Sequence, residues 1–172
     1  MFRAYRGALE TPFASSWKGA EKPEVVLVEF FDYACPYCKA SNAVVDRLLK
    51  EDPGLRVVYR ELPILGPDSL AAARVSLAAS GSGKFRQFHD ALYEAGRPGP
   101  QTIEQAARAS GIPLNSPDRP EFEAELKRNF QLADQLGATG TPVFVVGDRV
   151  MNGAVGYEAL KKAIAGARAA RS

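Results

Sequence analysis

The run 25–31, Val-Val-Leu-Val-Glu-Phe-Phe, constrains the fold more than any other stretch of the chain. It is short, almost continuously apolar and rich in β-branched and aromatic residues. That is the pattern of a strand covered on both faces, as in a parallel sheet. From 35 to 50 the period changes: Ala40, Val44 and Leu48 recur at helical spacing, with Lys39, Asp46, Arg47 and Lys50 largely elsewhere. Asp52-Pro53-Gly54 stops that helix, and 55–62 alternates well enough for a second strand. Strand, helix, strand is a βαβ unit, so these two strands are expected to be parallel.

Residues 63–138 hold no convincing strand. Asp68 can cap a helix over 69–80, which Gly81-Ser82-Gly83 breaks; 84–94 is a second helix, with Phe85, Phe88 and Leu92 on one stripe. A Gly/Pro-rich loop, 96–100, follows. Thr102 with Gln105 reads as a capping box for a third helix. After a break at 112–117, 121–136 forms a long fourth helix. Strand character returns at 142–146. Gly147-Asp148 suits a type II′ hairpin that folds 149–151 back antiparallel, and 156–170 is a last helix. The first 23 residues, with Pro12, Gly19 and Pro23, read as an irregular surface arm or a short edge strand anchored by Trp17. The expected organisation is an arm (1–24), a split α/β domain (25–62 and 139–170) and an inserted helical subdomain (63–138), which suits a chain of 172 residues.

Composition removes several function classes. The net charge is +2 with acids and bases mixed, so no basic patch of the kind a nucleic-acid partner needs is in view. No apolar run approaches the roughly 20 residues that span a bilayer. The first six residues lack the apolar stretch of a signal peptide, which fits either a cytosolic chain or a mature form whose leader has been removed. Gly81-Ser82-Gly83-Lys84 hints at a phosphate loop. It has Ala78 where that pattern needs glycine and Phe85 where it needs a hydroxyl, so it reads as a helix–helix turn. His89 has no partner in view and reads as a surface or packing residue. Glu121, Glu123 and Glu125 with Lys127 and Arg128 read as a solvated helix face.

The two cysteines, Cys35 and Cys38, stand where the first strand hands over to the helix. A zinc site would want four ligands and only His89 could add to them, so no metal site is expected. A redox pair is the better account. The first turn of a helix presents unpaired N–H groups and the positive end of the macrodipole. A thiolate is stabilised there, so Cys35 is expected to be the nucleophile, with a lowered pKa. Pro36 is tolerated in such a turn. Cys38 lies about one turn on, close enough to close a disulfide; being deeper, it should be less reactive and resolve the mixed disulfide. The alternative, an inert staple, closes so short a loop that it would constrain the unfolded chain little.

Residues 30–39, Phe-Phe-Asp-Tyr-Ala-Cys-Pro-Tyr-Cys-Lys, resemble the active-site segment of DsbA-like proteins, the bacterial periplasmic branch of the thioredoxin superfamily. The resemblance runs from about residue 25 to 160. It implies an α/β thioredoxin fold with a helical insertion between its halves. It implies that Pro142 in Gly140-Thr141-Pro142 is cis and packs beside the cysteines, where the residues alone suggest a trans proline opening a strand. Thr141 would then offer its backbone to an extended substrate segment, with Pro36 and Tyr37 also facing substrate. It implies that Glu29, six residues before Cys35, relays a proton to or from Cys38; the residues alone also fit a strand-end acid in solvent or paired with a lysine.

The Pro36-Tyr37 pair carries no histidine, and Thr141 precedes the proline. This combination is similar to the suppressor-of-copper-sensitivity branch and partly to disulfide isomerases, which leaves oxidase against isomerase or reductase direction open. The implied activity is thiol–disulfide exchange with unfolded or cysteine-containing protein substrates in the bacterial periplasm, with a membrane redox partner protein. No cofactor is implied beyond the Cys35–Cys38 disulfide, and the short arm suggests a monomer. Cys-Pro-Tyr-Cys also fits a glutaredoxin-type enzyme using glutathione, against which the long helical block argues. Two thiolates could also hold Cu(I).

Overall fold

The computed structural model of the chain describes residues 3–114 and 118–171; the expected break at 112–117 falls partly outside them. Strand β2 (Val25–Phe31) is buried at every position and lies at the centre of a five-stranded sheet. Helix α2 (Pro36–Glu51) returns the chain to β3 (Leu55–Glu61), which pairs with β2 in parallel, Val25 against Leu55 through Phe31 against Glu61. Four helices follow: α3 (Pro67–Gly81), α4 (Phe85–Ala95), α5 (Pro100–Ser110) and α6 (Pro120–Gln135). The chain re-enters the sheet as β4 (Val143–Val146), antiparallel to β2. It turns through Gly147 at φ 58 into β5 (Arg149–Asn152) and ends in α7 (Tyr157–Arg171). Gly147 is the first central residue of the hairpin turn, and only it takes a positive φ, as a type II′ turn requires.

Strand alternation splits β2 between two cores. Val25, Leu27 and Phe31 face a layer made by α2, α7 and the helical block; Val26, Val28 and Phe30 face α6 and a helix at the N-terminus. Glu29 shares the first face, toward α2, because it has the parity of Leu27 and Phe31.

Of the two readings of the first 23 residues the short edge strand holds, and a helix that was not expected precedes it. Arg3–Glu10 forms helix α1, and β1 (Trp17–Gly19) pairs antiparallel with β3 as an edge strand. An eight-residue helix holding Gly7 is marginal on propensity. Tertiary contacts hold it: Leu9 is buried in the second core, and buried Arg60 of β3 reaches the carbonyls of Ala8, Leu9 and Thr11 at the helix C-terminus. Arg60 also takes Glu125 of α6 at 3.0 Å, both side chains being buried, which overturns the reading of Glu125 as part of a solvated face. Trp17 packs on the same core, and the Arg56 guanidinium stacks 4.2 Å above its ring.

Two helix starts also differ. Gly66 is the N-cap of α3, and Asp68 lies in its first turn rather than capping it. In α5 Pro100 takes the first helical position, so Thr102 falls at N3. Its hydroxyl accepts the Gly99 N–H at 2.9 Å, the reciprocal half of a capping box rather than the cap.

Candidate functional site

Cys35 is the N-cap of α2 (φ −82, ψ 117) and Pro36 opens the helix, so the thiol stands at the helix N-terminus, with no side-chain cap bond to the first-turn N–H groups. The Cys35 N–H donates to the Asp32 carbonyl at 3.0 Å, and the Cys35 carbonyl accepts the Lys39 N–H at 3.1 Å. Both cysteines are free thiols. Cys35 is 5 % exposed and Cys38 fully buried. Burial pushes the Cys38 thiol well up, and the Glu29 carboxylate pushes it further.

The Thr141–Pro142 peptide bond is cis, and the Thr141 carbonyl lies 3.4 Å from Cys35 Sγ, the thiol donating. Residues 106 apart in sequence therefore meet across the end of the sheet. Pro36 and Tyr37 are exposed beside them. Tyr37 walls a cleft of about 370 Å³ whose other side is Thr139, Gly140, Thr141 and Asn152 to Ala154. Pro142 itself is buried.

Glu29 stands in register between Tyr59 of β3 and Phe144 of β4, fully buried, and neither carboxylate oxygen has a hydrogen-bond partner. Burial pushes its pKa up to about 8; the Lys18 charge opposes that rise and Asp46 of α2 adds to it. The alternative of a strand-end acid in solvent is thereby excluded. Lys18 points inward from the edge strand. Its ammonium donates to Asp90 at 2.7 Å and lies 3.4 Å from His89 Nδ1. His89 is not a surface residue: it is buried among rings, with Tyr59, Tyr93 and Phe31 centroids at 4.8, 4.9 and 5.4 Å. Burial lowers its pKa to about 4, so it is neutral at neutral pH; its Nδ1 lies 3.3 Å from the Asp90 carboxylate and 3.4 Å from the Lys18 ammonium, and the tautomer decides which of the two it bonds.

Sequence reasoning missed Asp32. Its buried carboxylate accepts four hydrogen bonds: Ala34 N–H at 2.8 Å and Ser69 hydroxyl at 2.7 Å on Oδ1, Ile64 and Leu65 N–H at 2.8 and 3.0 Å on Oδ2. It fixes the turn before Cys35 to the β3–α3 connection. The bond to Ala34, two residues on, is an Asx-turn that the Asp at a strand end could have signalled. Beside it Ser76 donates to buried Glu61 at 2.7 Å and meets the Tyr33 hydroxyl at 2.7 Å, while the Tyr93 hydroxyl donates to the Asp32 carbonyl at 3.3 Å. Burial pushes Glu61 well up. Among the described residues no cluster of three or more His, Cys, Asp or Glu could hold a metal ion.

A parallel βαβ half, an antiparallel ββα half and a close cysteine pair at a helix N-terminus facing a cis-proline define a thioredoxin-fold protein. The model of the DSBA-like thioredoxin domain matches residues 26–165, and the chain belongs to that family. Among solved structures it is similar to a thioredoxin-like oxidoreductase from Silicibacter pomeroyi (40 % identity, TM-score 0.87, covering 95 % of this chain and 98 % of that one). It is similar to the catalytic domain of Proteus mirabilis ScsC (28 %, 0.88, 98 % and 97 %) and to the thiol-disulfide exchange protein alpha-DsbA2 of Wolbachia pipientis (26 %, 0.85, 96 % and 92 %). Among curated proteins it matches the Na(+)/H(+) antiporter NhaA 1 of Salinispora arenicola at 30 % identity over 158 residues, 87 % of this chain and 24 % of that protein. The chain thus spans about a quarter of the length of the first curated relatives it matches.

Proposed function

We propose that this domain exchanges disulfides with cysteine-containing or unfolded protein substrates, with Cys35 as nucleophile and Cys38 as resolving thiol. The observation that carries the reading is the placement of Cys35 at the α2 N-cap, 3.4 Å from the Thr141 carbonyl, with Cys38 buried one turn behind it. Cys35 reacts as its thiolate, the nucleophilic form of the thiol. In the reducing direction that thiolate attacks a substrate disulfide, one sulfur bonding to Cys35 and the other leaving as a thiolate. Cys38 then attacks Cys35 Sγ, expels the second substrate thiolate and closes the Cys35–Cys38 disulfide. Its proton passes to Glu29, the buried base set against it. Oxidation of a substrate dithiol is the same sequence reversed. Thr141 lends its backbone to an extended substrate strand beside Pro142, and Tyr37 walls the cleft that receives the neighbouring residues. No cofactor beyond the cysteine pair is needed. The bacterial periplasm is the compartment this chemistry suits, with a membrane protein resetting the pair; the solved relative from Salmonella enterica is described as periplasmic.

The test is trapping. A Cys38→Ser chain mixed with a scrambled disulfide protein is expected to accumulate a mixed disulfide at Cys35, and Cys35→Ser to accumulate none. Equal trapping by both, or turnover confined to glutathionylated peptides, would overturn the reading. Comparing the melting temperatures of dithiol and disulfide forms assigns direction: a more stable dithiol means an oxidant.

A further inference from the structure

At the end of the sheet away from the cysteines, a cavity of about 350 Å³ opens between α1 and α7. Its floor is apolar: Val25 and Val26 where β2 begins, Val146 where β4 ends, and Ala163 and Ala167 of α7. Its rim is cationic, with Arg6, Arg149, Lys162 and Arg171 against two carboxylates, Glu10 and Asp148. Both carboxylates are already engaged. Asp148 accepts from Arg6 at 2.9 Å, and Glu10 lies 3.6 Å from Arg171 and 4.0 Å from Arg6 Nε. Arg149 and Lys162 form no ion pair with another described residue. Arg6 Nε is buried and has no hydrogen-bond partner.

Two rim cations without a carboxylate partner favour an anionic ligand group, which can take charge-assisted hydrogen bonds from both. The size and the mostly apolar lining match those of small-molecule sites, where a few polar groups orient a largely apolar ligand. We propose that this cavity binds a small carboxylate carried on an apolar body, its charge taken at the cationic rim by Arg149 and Lys162, its aliphatic part lying on the valine and alanine floor. Gly166 lines the same space, and a Cβ built there would meet nothing within 4 Å, so the helix leaves the cavity open at that point. The site is separate from the cysteine pair.

Decanoate, kept below its micellar concentration, is the probe, titrated into the ¹⁵N-labelled chain while amide shifts of Gly147 and Gly166 are followed. Saturable binding is expected. The surface double variant R149Q/K162Q, which leaves the α1 contacts intact, should weaken it at least about tenfold. Gly166→Leu, which fills the opening with a better helix former, should abolish it. Decanol, with the same body and no charge, should bind at least about tenfold more weakly. Absence of a saturable shift, equal binding of decanol, unchanged binding by R149Q/K162Q, or full displacement of decanoate by inorganic phosphate would each overturn the proposal.

Discussion

Glu29→Gln should make the reduced chain more stable, and by an amount that depends on pH in a defined way. The Glu29 carboxyl titrates near 4.5 when exposed and at about 8 in the fold, because burial disfavours its charge. Below pH 4.5 both states hold the proton and the group is neutral in its effect. Between 4.5 and 8 the folded state holds a proton that the unfolded state has released, so stability falls as pH rises, by about 1.4 kcal/mol per unit. The loss is about 3 kcal/mol at pH 7 and about 5 kcal/mol at pH 8 and above. Glutamine cannot ionise, and its amide is as short of partners as the neutral acid, so the desolvation cost common to both cancels in the comparison.

The parent chain alone will not display this slope. His89 has the opposite sense: its pKa is lowered from 6.5 to about 4, so as pH falls through that window the unfolded state gains a proton the folded state refuses. Stability there rises with pH, by about 3 kcal/mol in all. From pH 4.5 to 6.5 these two slopes cancel, but Glu61, also raised by burial, adds a slope of the same sense as Glu29, so only the difference between the two chains isolates Glu29. The assay is urea unfolding under reductant at half-unit steps from pH 4.5 to 8, for both chains. The difference should start near zero and grow to about 5 kcal/mol. A difference that does not change with pH would refute the assignment of Glu29 as a buried acid titrating in the neutral range.

Lys18→Met should push Glu29 further up, since the Lys18 charge opposes its rise, and the carboxyl ¹³C shift of Glu29 should then titrate above 8. Asp32→Asn retains one good acceptor oxygen, so at least two of the four donors now held go unpaired. About 2–5 kcal/mol of stability should be lost, with faster hydrogen exchange at the Ile64 and Leu65 amides and faster alkylation of Cys35. Arg60→Met leaves Glu125 buried without its partner and uncaps α1, a loss of about 3–5 kcal/mol by urea unfolding, and Glu125→Leu added to it should restore most of that loss.

What could be read from the chain follows the range of the interactions. The βαβ half was legible because β2, α2 and β3 are encoded by local periodicity and closed by Asp52-Pro53-Gly54. The cysteine pair was legible because its spacing is itself the signal. Helix α1 was not: it is only eight residues long and holds Gly7, and its cap is a guanidinium from Arg60, some fifty positions away. Glu125 shares a helix with exposed acids and differs only in facing that same arginine. His89 looked partnerless because its cage is assembled from β2, β3 and α4, and its polar neighbour Lys18 belongs to a three-residue strand that shows no pattern alone. Asp32 announced one of its four bonds; Ile64, Leu65 and Ser69 come from the far side of β3.

These long-range groups share a consequence for the proposed chemistry. Cys38 and Glu29 occupy the same apolar layer between β2 and α2, and ionising either makes ionising the other harder, since the Glu29 charge pushes Cys38 up. With the acid at about 8, roughly a tenth of it is ionised at pH 7. On the proposed mechanism Glu29 serves Cys38 as base in that fraction, while the raised pKa of Cys38 keeps it a thiol until it attacks. Proton transfer and sulfur attack are then tied together, which restricts the buried thiol to the one disulfide it faces. Lys18, held by Asp90, opposes the rise of the Glu29 pKa with its charge and so enlarges that reactive fraction. In Lys18→Met the resolution of a trapped mixed disulfide should therefore slow at pH 7 and recover as pH rises past 8, whereas capture of substrate by Cys35 should keep its rate. A Lys18→Met chain that slows both steps equally at every pH would mean that Lys18 serves the fold of the edge strand and not the proton.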